Sequence, residues 1–271
     1  MMRTEEIIDH IGEAGSWLPL LAVRSAFTNR ESLSPILLQA VEQRAAAKDG
    51  RDIRNHRLAT FGVFFLAQIR DRQLFAPLIQ LFESTNPEDE DEWLFSARLF
   101  FFGHRLLAGC CPHDAQWPLE MALNPELKPL TRALALCAIG LLGAYGDIAR
   151  AESVRLLRET FKPIRALKEE WTADNWARTA AKLHCRQFER ELQWFLASGL
   201  LNFECRQDIA RALRGDPDAH LISVVALEPM VDLFSNVFPQ DIRNGEMGLL
   251  PNGQIPGLEL FRGDEPRPRH N

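Results

Sequence analysis

The chain has 271 residues, of which 46% are hydrophobic and 25% are charged, and its formal net charge at pH 7 is −6. This composition is typical of a folded globular protein and excludes a chain that is disordered throughout. No run of residues approaches the roughly 20 apolar positions that a membrane-spanning helix needs. The net negative charge argues against a general affinity for the phosphate backbones of nucleic acids.

The first residues and the cysteines indicate the compartment. The segment Met1–His10 carries acidic residues where a secretory signal would have a basic region followed by an apolar block. The number of cysteines, five, is odd, and a chain of this length needs no disulfide framework to be stable. We therefore expect a cytoplasmic protein that does not associate with membranes.

Apolar residues recur at every third or fourth position along most of the chain, which is the period of an amphipathic or buried helix. No stretch shows the strict alternation of a strand next to a hairpin turn. In chain order, the period predicts helices at Glu5–Glu13, Pro19–Phe27, Pro35–Lys48, Leu58–Ile69, Leu74–Phe82, Trp93–Ala108, Thr131–Ala144, Ile148–Phe161, Trp176–Leu183, Phe188–Leu196, Glu204–Arg214 and His220–Val237.

Three pairs of these helices are separated only by short breaks and so predict helical hairpins. The breaks fall at Asp71–Gln73, Tyr145–Asp147 and Cys185–Gln187, and Gly199 is predicted to cap the end of the third hairpin. Thr131–Ala144 is apolar on nearly every face, which predicts a buried helix. Repeated hairpins of this length are typical of solenoids, so we expect an all-α fold, a right-handed α-α superhelix of the HEAT-like kind.

The last part of the chain has a different composition. The range 239–271 contains five of the 16 prolines and five of the 16 glycines, which predicts a non-helical C-terminal tail. Its apolar residues are candidates for docking on the helical body: Ile255, Leu258, Leu260 and Phe261. The expected organisation is an α-helical repeat domain over 1–238 and this tail over 239–271.

The hairpin at Leu58–Phe82 resembles a HEAT-type repeat. Together with the later hairpins at Thr131–Phe161 and Trp176–Gly199, it resembles the bacterial family called domain of unknown function 1186, over roughly Leu33–Arg214. This resemblance implies a solenoid-like helical fold without an assigned activity, so it transfers no functional residue. Many such proteins end in a cysteine-rich metal module, whereas the range 245–271 contains no cysteine.

Candidate metal and nucleophile sites are sparse. Cys110-Cys111-Pro112-His113 supplies three ligands at a spacing unlike that of structural zinc sites, and the interpretation we favour is a helix that ends at Gly109, followed by a loop with half-buried thiols. His184 and Cys185 are adjacent on a helix and point apart, and no histidine precedes a glutamate. The acidic run Glu88–Glu92 suits a solvated helix start better than a cation site. We expect no metal and no cofactor.

The range 147–215 carries 13 basic and 10 acidic side chains in an otherwise acidic chain. Helical spacing places a stripe of four of these basic residues on one helix face: Arg155, Arg158, Lys162 and Arg165. Stacked hairpins would bring this stripe next to the later helix that bears Arg190 and Trp194, and such a surface suits an acidic protein or peptide. The plainer alternative is a solvent face whose charge is neutralised by nearby acids, namely Glu152, Glu159, Glu169 and Glu189.

A chemical alternative lies on the next helix. Trp171 and Trp176 flank Asp174, with Arg178 and Lys182 close by, and stacking aromatics with an acid suit a flipped-out base, as in helical-repeat DNA glycosylases. The structural interpretation makes Asp174 a helix N-cap and both tryptophans packing residues. The sequence therefore favours a non-catalytic scaffold or adaptor for a protein or peptide over a nucleic-acid-acting enzyme, and it leaves the oligomeric state open.

Overall fold

The computed structural model describes residues 2–13, 20–47, 52–85, 93–111 and 113–215. These residues form twelve α-helices and no strand, so the predicted all-α class is confirmed. The helices are α1 (Thr4–Glu13), α2 (Leu20–Thr28), α3 (Arg30–Ala46), α4 (Ile53–Gln68), α5 (Phe75–Ser84), α6 (Trp93–Cys110), α7 (Gln116–Leu123), α8 (Pro129–Tyr145), α9 (Arg150–Leu167), α10 (Glu170–His184), α11 (Glu189–Ser198) and α12 (Phe203–Leu213).

The described residues fall into two compact units. The first contains 2–13, 20–44 and 52–64, and the second contains 45–47, 65–85, 93–111 and 113–215. The sequence predicts one repeat domain over 1–238, and the predicted boundary with the tail lies outside the described residues. Among the described helices, none combines the length and the apolar character needed to cross a membrane.

The first unit is built from α1 to α3 and the beginning of α4. Its core contains Ile7, Leu33 and Leu37, all of which are fully buried. A Cβ atom placed on Gly62 of α4 would lie 3.2 Å from the carbonyl oxygen of Leu37, so the absence of a side chain lets α4 pack closely on α3. Arg54 and Asp9 form an exposed ion pair across the unit, with 2.6 Å between nitrogen and oxygen.

Helix α8 is the centre of the second unit. Every residue from Thr131 to Leu142 is buried, because α6, α7, α9 and α10 all pack against it. Its buried Arg132 donates to the carbonyl oxygens of Asn124, Pro125 and Leu127 and pairs with Glu169. A helix that is apolar all round must be covered on every face, which is what the sequence predicts for this segment.

Within the second unit, corresponding helices of successive hairpins run parallel. On α8 and α10, Thr172 donates to the Pro129 carbonyl and Thr179 donates to the Cys137 sulfur, so residue numbers rise together. The pairs Asp174–Asn202 and Arg178–Asp208 show the same order on α10 and α12. The contacts of α9 with α11, described below, follow this order as well. This part of the chain is therefore a stack of helical hairpins, the arrangement found in α-helical solenoids.

Close approach within this stack depends on small residues of α8. A Cβ atom on Gly140 would lie 2.5 Å from Thr179 Cγ2 and 2.6 Å from Leu183 Cδ1 of α10. A Cβ atom on Gly143 would lie 2.5 Å from the Cβ atom of Ser153 of α9. Because real Cβ atoms do not approach other atoms so closely, these two glycines set the distance from α8 to its neighbours on both sides.

Some of the observed helix ends agree with the ends predicted from the sequence, and others differ from them. Gly199 has a φ of 72° and caps α11, as predicted, because glycine adopts this left-handed conformation without a steric penalty. Helix α3 begins five residues before the predicted start at Pro35, because the amides of Ser32 and Leu33 already bond to the carbonyl oxygen of Asn29. Helix α7 was not predicted from the sequence at all.

Several predictions lie outside the described residues. These are the helix at His220–Val237, the tail at 239–271 and the acidic run at Glu88–Glu92. Leu99 and Phe102, within the predicted helix Trp93–Ala108, are buried in α6.

Candidate binding surface on helices α9 and α11

The surface formed by α9 and α11 begins with a contact between Arg165 and Trp194. The Arg165 guanidinium carbon lies 4.5 Å from the centroid of the Trp194 ring. Seven residues earlier on α9, Arg158 donates to the Gln187 carbonyl oxygen at 2.8 Å and lies near the Glu191 carboxylate, with 3.4 Å between nitrogen and oxygen. The structure thus brings the basic stripe of α9 and the helix with Arg190 and Trp194 side by side.

On this surface, the ring of Trp194 packs against a cluster of other aromatic rings. Phe161 lies between the rings of Trp176, Trp194 and Phe195, at centroid distances of 5.4, 5.9 and 5.5 Å. Trp176 and Phe195 are fully buried, whereas Trp194 is partly exposed. Offset and edge-to-face aromatic contacts of this kind favour one relative position of the rings. Trp194 is therefore held in place while part of its ring faces solvent.

Half of the basic stripe is neutralised within the protein. Arg155 bonds to both Glu152 and Glu159, at 2.8 and 2.9 Å. The hydrogen bonds from Arg155 hold the pKa of the Glu152 carboxyl below its usual value. Arg158 is engaged with Glu191 and packs over the Phe188 ring at 5.3 Å. Arg155 and Arg158, predicted as binding residues, are thus committed to neighbours in the same chain.

The acids named in the plainer alternative are only partly used in this way. Glu152 and Glu159 pair with Arg155, as that alternative requires. Glu169 instead pairs with the buried Arg132, and Glu189 accepts a hydrogen bond from Gln193. Neither of these last two acids forms an ion pair with the stripe.

Three cations near Trp194 keep their charges available. In the part of the chain that the structure describes, Lys162, Arg165 and Arg190 form no hydrogen bond or ion pair, and all three are exposed. Lys162 lies one turn before Arg165 on α9, and Arg190 lies one turn before Trp194 on α11. The unpaired end of the surface, defined by these three cations and Trp194, is positive and partly aromatic.

The alternative site on α10 does not assemble around an open face. Trp176 is fully buried, and its indole nitrogen donates to the Leu157 carbonyl oxygen and to Thr160 Oγ1, both at 2.9 Å. Trp171 is 64% exposed, so the prediction that it is a packing residue is wrong. A base cannot stack on Trp176 in this arrangement, because other aromatic rings already surround it.

Asp174 has a structural role different from the predicted one. It lies inside α10 rather than at its N-cap, and it is 5% exposed. Its carboxylate accepts hydrogen bonds from the backbone amide and the side-chain amide of Asn202, the residue that caps α12 through Cys205. Burial raises the pKa of Asp174, while the bond from Asn202 acts in the opposite direction. Asp174 therefore anchors the start of the next helix.

Of the other residues of the alternative site, Arg178 faces the interior of the stack and Lys182 is partly buried. Arg178 lies 3.7 Å from Asp208, and both side chains are nearly buried. Burial and the nearby Arg105 lower the pKa of Lys182. His104 on α6 is 3% exposed, and burial, with smaller contributions from Arg105 and Lys182, lowers its pKa to about 3. The His104 imidazole is neutral at pH 7.

The cysteine pair is more buried than the sequence indicated. Helix α6 continues to Cys110, and both Cys110 and Cys111 are fully buried, so the expectation of half-buried thiols is wrong. Burial and then the neighbouring Cys111 thiol raise the pKa of Cys110, which makes it an unreactive thiol. Within the described ranges, no group of three or more His, Cys, Asp or Glu side chains is arranged to hold a metal ion.

The sequence did not predict the polar contacts between three turns, those that carry Arg70, His113 and Asp147. Arg70 bonds to both carboxylate oxygens of Asp147, at 2.6 and 3.1 Å, and His113 contacts the Asp147 carbonyl oxygen at 3.0 Å. Arg70 and His113 both have left-handed backbone, with φ of 61° and 60°, which is costly for residues other than glycine. Since these residues are 77 and 34 positions from Asp147, no local pattern reveals the junction.

The structure defines a class of protein: an all-α protein whose second unit stacks helical hairpins and presents a positive, partly aromatic surface on α9 and α11. The model of one family of proteins of unknown function, DUF1186, matches residues 2–216. The chain belongs to this family. No curated protein and no solved structure gave a significant match.

Proposed function

We propose that the protein is a non-catalytic adaptor that binds an acidic segment of a partner protein at the unpaired end of the α9–α11 surface. The observation that supports this most directly is the set of three exposed cations, Lys162, Arg165 and Arg190, which form no ion pair among the described residues. Exposed cations around a held aromatic ring are typical anchors in protein interfaces.

The overall charge favours a protein partner over nucleic acid. The chain carries a net charge of −6, so a polyanion such as duplex DNA is repelled at long range. A short acidic segment carries less charge and can approach the local positive surface, where charge-assisted hydrogen bonds to arginine are strong. The burial of Trp176 also leaves Trp171 as the only exposed one of the two α10 tryptophans that the base-flipping interpretation uses.

The two arginines at opposite ends of α9 provide a matched comparison. Arg165 and Arg155 are both exposed, but only Arg155 is paired with acids. We expect Arg165→Gln to weaken capture of the partner at least about tenfold, since a charge-assisted hydrogen bond contributes roughly 1.5–3 kcal/mol. We expect Arg155→Gln to leave capture unchanged.

The measurement is a quantitative pull-down from the native cell lysate with the wild type and both variants. Proteins captured by the wild type and Arg155→Gln, but depleted with Arg165→Gln, are then purified and their dissociation constants measured. Equal capture by the two variants would contradict the proposal. Tight binding of duplex DNA by the wild type, falling steeply with salt, would favour the nucleic-acid enzyme instead.

A further inference from the structure

We infer that the acidic segment bound at the unpaired end of the α9–α11 surface is phosphorylated, and that Arg165 is the residue that recognises the phosphate. This inference rests on the proposed function, because it specifies the ligand of the same surface.

The first argument is the position of the Arg165 guanidinium. Its carbon lies 4.5 Å from the centroid of the Trp194 ring, so the group makes a cation–π contact with the aromatic ring. A guanidinium used in this way keeps its N–H donors at its edge, where they can bond to two oxygens of one anion. None of these donors is committed within the described residues. Arg165 is therefore held in place while its donors remain available.

The second argument is the amount of uncompensated positive charge. Lys162 and Arg190 each lie one helical turn from the Arg165–Trp194 contact, so three unit positive charges lie within one turn of it. Of the acids of α11, Glu191 pairs with Arg158, and Glu189, which bonds to the neutral Gln193, can offset at most one of these charges. A single carboxylate balances one charge, whereas a phosphate monoester carries about −1.5 to −2 at pH 7 and offers three acceptor oxygens.

The third argument is the contrast with the paired end of the same surface. Arg155 has carboxylates on both sides, from Glu152 and Glu159, so an incoming phosphate would meet negative charge there. Both ends lie on one helix, and among the described residues only the unpaired end has an arginine that contacts an aromatic ring and makes no hydrogen bond.

The test uses three libraries of fluorescently labelled peptides with random flanks and a central phosphoserine, glutamate or serine. Fluorescence anisotropy measures their binding to the full-length protein. We expect the phosphoserine library to bind about tenfold more tightly than the glutamate library, and the serine library to bind most weakly. Arg165→Lys keeps the charge but loses the two-pronged donor, so it should reduce the phosphoserine preference to less than twofold. Arg155→Lys is the matched control and should retain the full preference.

Each outcome separates the two proposals. Equal binding of phosphoserine and glutamate libraries by the wild type, or a preference unchanged in Arg165→Lys, would overturn the phosphate assignment and leave the adaptor proposal standing. Displacement of the phosphoserine peptides by an equal concentration of inorganic phosphate would show that the site binds a free ion, and would also overturn the assignment. Failure of all three libraries to bind would overturn both proposals.

Discussion

Helices α10 and α11 both carry tryptophans next to charged residues, but the two regions use them differently. On α10, Trp176 is buried, Asp174 bonds to Asn202, and Arg178 faces Asp208. On α11, Trp194 is partly exposed and contacts Arg165, and Arg190 forms no ion pair among the described residues. Similar residue types therefore stabilise the stack in one region and remain available for a ligand in the other.

The largest expected difference between the two regions is in the free energy of unfolding. Trp176→Ala removes a fully buried ring and two hydrogen bonds, so we expect a loss of about 3–5 kcal/mol. Trp194→Ala removes a partly exposed ring and should cost much less stability while weakening peptide binding. Urea denaturation followed by circular dichroism measures both. If Trp194→Ala destabilises the protein as much as Trp176→Ala, Trp194 is a core residue and the comparison fails.

The next effect is a pH dependence of the free energy of unfolding, caused by the buried His104 in the interior near α10. The pKa of His104 is lowered to about 3 in the folded protein, below its value of about 6.5 in the unfolded chain. The unfolded chain therefore takes up a proton first as the pH falls. The contribution of His104 to the free energy of unfolding is fully present above pH ~6.5. It decreases by about 1.4 kcal/mol per pH unit as the pH falls toward ~3.

His104→Leu removes the titrating group and is the control for this pH dependence. Its unfolding free energy, measured at intervals from pH 7 to 4, should fall less steeply than that of the wild type. Parallel pH profiles for the two proteins would show that His104 does not remain neutral in the folded state.

The smallest of these effects concerns the link between α10 and α12. Asp174→Asn keeps one acceptor for the Asn202 backbone amide but places an amide donor against the Asn202 side chain. We expect a loss of roughly 1–2 kcal/mol, at the lower end of the cost of an unsatisfied buried polar group. Adding Asn202→Asp reverses donor and acceptor and should restore part of the loss. A double variant no more stable than the single one would contradict this hydrogen-bond assignment.

Some of the difference between the two regions can be read from the sequence. On α10, Ala173, Trp176, Ala177 and Ala180 follow the period of a buried face, whereas Trp171 falls outside this period. The pairing of Arg155 is similarly local, since Glu152 and Glu159 stand three and four positions away. The first signal separates the buried from the exposed tryptophan of α10, and the second identifies Arg155 as a paired arginine.

The remaining features depend on contacts between helices, which no local pattern contains. Asp174 is spaced like a surface residue or an N-cap, and only the arrival of α12 buries it. Glu169 stands four residues after Arg165, yet it pairs with Arg132 of α8. Helix α7 is short and has no side-chain cap from the residue that precedes it, so its apolar residues did not stand out as a helix.

The close contact of Gly140 with α10 sets the distance between α8 and α10. Adding a single methyl group at position 140 would push against Thr179 and Leu183, and α10 would have to move away from α8. Because α11 follows α10 after only a short turn, such a shift would also change where Trp194 lies relative to Arg165. Gly140 therefore works as a spacer, and its substitution would alter the geometry of a surface that it does not touch.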